Sequence, residues 1–446
     1  MIQTSLPKYF FLKKDCPLVE GVCRGALYDL ISGNVFSVSK ESVRALQLLN
    51  AGKSVNETAG AVHVAEPRLR SYLAQLSAWN LGRWERKRTP QTFHAVRKSF
   101  RPRYVLHVEL TTGCNLHCLH CYNESGAGSM AVGKSITLED WKRIIKDVYK
   151  TGCRRVQFIG GEPFLKRELL FSLISYARNK GYTSIEISTN GTLMRDEDLL
   201  QVKTYGAQLA FSCYSYRGKT HDIITQRVGS WERTAYVIKK AIDMGIPVRV
   251  AIVAMRQNER DVTKTVECLK KWGVKNIKST MVEPVGRACG QGLMSRALLA
   301  KQVRVRPRFE RIDQRMFWRN KVGHNCFSEQ ICVGADGRLY PCLAERRVSY
   351  GTITRGSART IFLSARANRI RGLSKDRVEV CRDCEYRYCC FDCRVRARDF
   401  LESKRHPKPW WCSYNPYHGV WEGKERFLKG GEEQWKIQPQ ILAKAN

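Results

Sequence analysis

The 446-residue chain reads as an α/β protein: a partial (β/α)6 TIM-like barrel, with a winged-helix-like module in front and a cysteine-rich domain behind. Strand and helix signals alternate six times between residues 104 and 286. A hairpin signal followed by three short helical patterns occupies the first hundred residues. The 18 cysteines are clustered, three around position 118 and nine in the last third. The expected boundaries are 1–90, 101–300, a basic bridge over 301–325, and 326–446.

In the front module, a strand over 25–31 meets a second over 35–38 across Ser32-Gly33-Asn34, a hairpin signal. Ser39 then caps a helix in which Val43, Leu46 and Leu49 share a face. Further helices are expected over 55–62 and, entered through Pro67, over 67–79, with Leu69, Tyr72, Leu73 and Leu76 on one side. Residues 83–90, rich in Arg and Lys, read as a linker. Strands are then expected over 104–110, 155–159, 184–188, 208–212, 248–254 and 276–281. Thr137-x-x-Asp140 caps a helix that buries Trp141, Ile144, Ile145 and Val148. Six units are too few to close an eight-fold barrel, so the sheet should stay open, with function at the carboxyl ends of its strands.

An apolar fraction of 43% and a charged fraction of 26% exclude wholesale disorder. No apolar run approaches the ~18 residues of a spanning helix. The N-terminal residues lack the pattern of a secretory signal, so the expected location is cytoplasmic, with no membrane partner. Seventy-seven Lys and Arg against 41 Asp and Glu give a net charge of +36, which favours an anionic partner and is densest over 301–321. In a long chain of this kind, clustered cysteines point to metal or iron–sulfur ligation in preference to disulfides. The six scattered ones, Cys16, Cys23, Cys153, Cys213, Cys268 and Cys289, read as small core residues.

Cys114-x3-Cys118-x2-Cys121 directly follows the first barrel strand. Three thiolates on one loop leave a corner of a four-iron cluster open to an outside ligand. A zinc site completed by His117 or His120 is the alternative, although zinc motifs usually pair two close cysteines with a distant pair. With Tyr122 alongside, this motif resembles the signature of the radical S-adenosylmethionine (SAM) enzymes. The resemblance implies that SAM chelates the open iron and is cleaved reductively to a 5′-deoxyadenosyl radical, which takes a hydrogen atom from substrate. It also implies SAM contacts at the strand ends: Gly160, Gly161 and Glu162 of a Gly-Gly-Glu-Pro turn, Ser188 and Asn190, Ser212, and Arg227 toward the SAM carboxylate. Absent Cβ atoms at the two glycines suggest close approach of a ligand.

The later cysteines run Cys326, Cys332, Cys342, Cys381, Cys384, Cys390, Cys393 and Cys412, with Asp336-Gly337 forming a hairpin turn. This resembles the SPASM extension of peptide-modifying radical SAM enzymes. Carried over by position, Cys326, Cys332, Cys342 and Cys393 hold one auxiliary cluster and Cys381, Cys384, Cys390 and Cys412 the other, making three [4Fe-4S] clusters in all. The last pair has a two-residue spacing where many members have three, so Cys389 competes with Cys390. Leu343 stands where sulfatase-maturing relatives carry an aspartate base, so that reaction fits poorly.

The front module is similar to the PqqD-like leader-recognition element of enzymes that modify ribosomally made peptides. The resemblance implies a precursor peptide as partner, its leader bound as an added strand. A winged-helix DNA binder is the alternative, but only Arg68 and Arg70 mark the third helix, so nucleic acid is disfavoured as partner. The expected activity is an oxidative crosslink, thioether or carbon–carbon, in such a peptide, with an external electron donor such as flavodoxin or ferredoxin. The rivals are a peptide epimerase, with Cys213 or Cys289 returning a hydrogen, and an RNA-modifying or nucleic-acid-binding iron–sulfur protein.

Overall fold

The computed structural model describes residues 7–88, 104–127, 136–306, 309, 311–353, 356–391, 393–395 and 407–423. The front module runs β1 (Tyr9–Leu12), β2 (Leu18–Glu20), β3 (Arg24–Tyr28), β4 (Val35–Ser39), α1 (Lys40–Asn50), α2 (Val55–Ala61), α3 (Glu66–Ala78) and β5 (Gly82–Glu85). The expected hairpin is β3–β4, turned by Gly33 at φ +81°, and β2 lies outside it to complete a three-stranded antiparallel sheet. Ser39 caps α1, and a Ser54–Glu57 capping box starts α2. The buried faces of the three helices, including Leu46, Leu49, Leu69 and Leu73, close a small core over the strands.

One expectation fails here. Residues 83–85 belong to β5, which pairs antiparallel with β1, and Trp84 meets Phe10 edge-on at 5.3 Å. The charge around Trp84 suggested a linker because the pairing partner lies far away at the start of the chain. Residues 89–90 of that stretch fall outside the described residues.

The barrel strands are β6 (Val105–Glu109), β7 (Arg155–Ile159), β8 (Ser184–Thr189), β9 (Gln208–Ser212), β10 (Val248–Ala254) and β11 (Asn276–Met281), all parallel. Between them lie α4 (Leu138–Tyr149), α5 (Arg167–Lys180), α6 (Asp196–Thr204), α7 (Gly218–Thr225), α8 (Ser230–Asp243) and α9 (Val262–Lys271). Strand alternation sorts the side chains. Leu106, Val108, Val156, Phe158, Ile185, Ile187, Leu209, Phe211, Val250 and Ile252 join the helices in the main core. The opposite face carries a polar ladder: His107 bonds Gln157 at 2.7 Å, Gln157 donates to Glu186 at 2.6 Å, and Arg249 donates to both oxygens of Glu186.

After α10 (Arg296–Gln302) and α11 (Gln314–Val322), the chain forms β12 (Gln330–Val333), β13 (Arg338–Tyr340) and β14 (Gly351–Thr352). The expected hairpin is present, but it does not stand alone. β12 pairs parallel with β6, setting Cys332 opposite His107, so one nine-stranded sheet runs β11-β10-β9-β8-β7-β6-β12-β13-β14. Helices α12 (Ala358–Phe362) and α13 (Ala365–Arg371) and a short pair, β15 (Tyr414–Asn415) with β16 (Val420–Trp421), complete the elements among the described residues.

The front module sits against this last region. The Tyr28 hydroxyl donates to the Glu385 carbonyl at 2.7 Å, and the Val22 N–H to that of Asp383 at 2.9 Å. Tyr28, Phe317, Tyr386, Tyr388 and Tyr414 share one core. No helix among the described residues is long and apolar enough to cross a membrane.

Candidate active site

The cysteine loop after β6 is laced to the ends of several elements. Gly161 N donates to Thr111 O at 2.7 Å and Glu162 N to Gly113 O at 2.9 Å, binding the loop to the turn after β7. His117 N and Leu119 N donate to Thr225 O and Ile224 O at the end of α7. Asn115 reaches Thr192 Oγ1 at 2.7 Å, and Asn190 Nδ2 bonds Asn115 Oδ1 at 2.9 Å and approaches Cys114 Sγ at 3.8 Å. Past β11, Arg287 N donates to Cys121 O, while its guanidinium donates to Cys118 O at 2.9 Å and Ser125 O at 2.6 Å. The preceding Gly286, at φ +57°, has no room for a Cβ, which would lie 2.3 Å from Cys121 O.

The three thiols share one electrostatic environment. Burial pushes Cys118 up to about 12, and Cys121 and Cys114 push it further; Arg287 and the Tyr214 hydroxyl act the other way. Cys114 is raised to about 11, first by burial, with Glu162 and Cys121 adding to it. Such thiols ionise only for a strongly cationic ligand, which an iron–sulfur cluster supplies. Two buried polar atoms in the same loop, His120 Nδ1 and the Tyr122 hydroxyl, have no hydrogen-bond partner among the described residues. The His120 ring stands edge-on to Tyr214 at 4.8 Å, and burial lowers its pKa to about 4. Among the described residues, no three His, Cys, Asp or Glu side chains are gathered tightly enough for a single metal ion.

The residues expected to meet SAM lie around this loop. Gly160 and Gly161 are glycines for a reason other than ligand approach. A Cβ on the first would lie 2.4 Å from Thr111 O, and on the second 1.9 Å from Gly113 O, so the cysteine loop's own main chain fills that space. The Glu162 carboxylate is fully buried and accepts from Phe164 N, Thr189 Oγ1 at 2.7 Å and Asn190 N at 2.8 Å, fastening β7 to β8. Burial pushes it up to about 7. Ser188 and Ser212 are half-buried near the ends of β8 and β9, with Ser212 beside the Tyr214 hydroxyl. Arg227 is exposed and donates to Asn115 O at 3.0 Å. Cys213 packs in the main core, on the face opposite Ser212, and burial raises it to about 12. That placement argues against Cys213 as a hydrogen donor to substrate. Cys289 is half-buried and follows the Gly286–Ala288 turn that clasps the loop.

The later cysteines form two neighbourhoods. Cys332 is fully buried on β12; burial raises it first and Cys342 adds to the rise, while Cys326 and Cys342 both border the main core. In the other, Cys384 is raised by burial, then by Glu385, Cys381 and Cys390, and Cys412 by burial and then Cys390. Arg304 donates to Cys390 Sγ at 3.2 Å. Cys389 instead points its thiol at Tyr386 O, at 3.3 Å, in the core shared with Tyr28. Cys393 is half-buried between stretches outside the described residues. Residues missed in the sequence include Arg287 and Tyr214; the Gly286-Arg287 pair past the sixth strand was the available signal for the first.

Residues 108–269 match the model of the radical SAM superfamily, and residues 326–385 match the SPASM iron–sulfur cluster-binding domain. These matches mark an enzyme that carries a radical SAM domain and a SPASM region. The chain is 27% identical over 325 residues to the antilisterial bacteriocin subtilosin biosynthesis protein AlbA of Bacillus subtilis, covering 69% of this chain and 70% of that one. It is 26% identical over 344 residues to the AdoMet-dependent heme synthase of Methanosarcina barkeri, covering 69% and 95%. Its fold is similar to that of Streptococcus suis SuiB bound to the precursor peptide SuiA, with TM-score 0.54 and 12% identity over 90% of this chain and 99% of that one.

Proposed function

We propose that this radical SAM enzyme installs an oxidative crosslink, thioether or carbon–carbon, in a ribosomally made precursor peptide. The observation that carries the reading is the place of the second cysteine group. Cys332 lies on β12, hydrogen-bonded beside β6, the strand that leads into Cys114. Closing a crosslink removes two hydrogens from the peptide, so an electron must leave after the first hydrogen atom is taken, and an acceptor one strand away suits that need. The likenesses to the subtilosin biosynthesis protein and to a peptide-bound SuiB support a peptide as substrate.

Cys114, Cys118 and Cys121 would hold the SAM-binding [4Fe-4S] cluster; Cys326, Cys332, Cys342 and Cys393 one auxiliary cluster; and Cys381, Cys384, Cys390 and Cys412 the other. When bound, the first cluster with SAM supplies a 5′-deoxyadenosyl radical for hydrogen abstraction. Glu162, Asn190, Arg227 and Arg287 hold the loop that presents the three thiols. Gly160, Gly161, Ser188 and Ser212 line the strand ends where SAM would lie. The front module binds the leader, and a flavodoxin or ferredoxin supplies the electron.

Coexpression with the short reading frame beside the gene, followed by fragmentation of the peptide, tests the proposal. A loss of two hydrogens per bond formed is expected. A deuterium gained from heavy water at otherwise unchanged composition would establish epimerisation instead.

A further inference from the structure

A chain of contacts joins the cysteine loop to the second cysteine group through a buried carboxylate and a half-buried guanidinium. Glu109, the last residue of β6, is 2% exposed. Its Oε1 accepts from Asn123 Nδ2 at 2.8 Å and from the Arg346 guanidinium at 2.6 Å. Asn123 Oδ1 in turn accepts from Cys121 Sγ at 3.2 Å and from Ser125. The Arg346 guanidinium lies 4.6 Å from the Tyr340 ring centre, next to Cys332 in the β12–β13 register. Glu109 Oε2 also accepts from Ala335 N at 3.4 Å in the β12–β13 turn, so the ion pair sits between the two cysteine groups, with Arg346 on the Tyr340 side beside Cys332.

We infer that Arg346 is a positioning residue whose charge, aimed by Glu109, raises the reduction potential of the group held at Cys332 and Cys342. The inference rests on the reading of those cysteines as ligands of an auxiliary cluster. Reduction adds one electron to that cluster without a proton, so a half-buried cation beside it stabilises the reduced form. A buried anion opposes it. A cation beside the auxiliary cluster makes it easier to reduce, which suits the direction in which an electron must leave the peptide.

The test is a dithionite titration of the full-length protein, reconstituted with iron and sulfide and followed by electron paramagnetic resonance, in wild type, Arg346→Gln, Arg346→Lys and Glu109→Gln. Arg346→Gln is expected to lower the equilibrium constant for auxiliary-cluster reduction at least tenfold, 59 mV for one electron. Arg346→Lys keeps the charge and should restore most of the loss. Glu109→Gln should shift the same midpoint the opposite way. An unmoved midpoint in Arg346→Gln, or shifts of the same sign in Arg346→Gln and Glu109→Gln, would overturn the inference while leaving the cluster assignment standing. Iron sufficient for one cluster alone, with no auxiliary signal in wild type, would overturn the assignment and the inference together.

Discussion

Replacing Gly161 by alanine should dislodge the cysteine loop while leaving the SPASM region intact. A Cβ there would lie 1.9 Å from Gly113 O, 2.5 Å from its carbonyl carbon and 2.9 Å from Thr112 O, all main-chain atoms. Ordinary carbon–oxygen contacts begin at about 3.3 Å, so the loop must retreat by roughly 1.4 Å. The bonds from Gly161 N to Thr111 O, at 2.7 Å, and from Glu162 N to Gly113 O, at 2.9 Å, would then stretch beyond hydrogen-bonding range. Two buried donors left unpaired cost about 2–6 kcal/mol. The loss of unfolded-chain entropy on replacing glycine returns only about 0.4–1 kcal/mol, so destabilisation wins. The variant should lose the iron of one cluster and 5′-deoxyadenosine formation, with the auxiliary signals retained and the melting temperature lowered. Gly60→Ala is the matched control: Gly60 lies in α2 with no atom within 4 Å of an added Cβ, and alanine there should stabilise by about 0.5–1 kcal/mol. Full iron content and wild-type melting in Gly161→Ala would refute the argument.

Joint replacement of Cys114, Cys118 and Cys121 by alanine should abolish SAM cleavage, measured as 5′-deoxyadenosine, and leave both auxiliary clusters detectable by electron paramagnetic resonance. Asp198→Ala removes two charge-assisted bonds from Arg167, at 2.8 and 3.1 Å, leaves it the one to Leu193 O, and should cost about 1.5–3 kcal/mol in denaturant unfolding. His221 is held down to about 4 by burial, so acid should destabilise the barrel. The unfolded chain takes up a proton below pH 6.5 and the folded chain does not, so roughly 2 kcal/mol is lost between pH 6.5 and pH 5. His221→Gln should flatten that part of the melting-temperature profile, and an unchanged slope would exclude His221 as its source.

Much of the fold was legible because its signals are local. The strands at 155–159, 208–212, 248–254 and 276–281 stand where the alternation of strand and helix signals placed them, and Thr137 and Ser39 cap the helices they announce. What escaped depends on partners distant in sequence. β1 and β5 identify each other only once paired, and nothing within 330–333 says that this strand will lie beside β6. The same holds at the site. The cysteine triplet shows itself by spacing, whereas Arg287, Glu109 and Arg346 gain their meaning from contacts made 162 to 237 residues apart. Gly160 and Gly161 were conspicuous for a sound reason, lack of room, but the neighbour is protein main chain. Cys389 and Cys390 are adjacent and each gives a spacing to Cys393, three residues or two, that the motif allows; packing separates them, one thiol turned to Tyr386 and the other toward Arg304.

The pairing of β12 with β6 bears on any attempt to divide the molecule. A fragment ending before Gln330 would bare a row of amide and carbonyl groups along β6, where Val105 and Val108 lie. Such a naked border invites stacking with other chains. Expression of the catalytic half by itself should therefore yield insoluble material, and an exchange of accessory regions between relatives must carry that strand with it. The accessory region serves as a hem as well as a holder of metal.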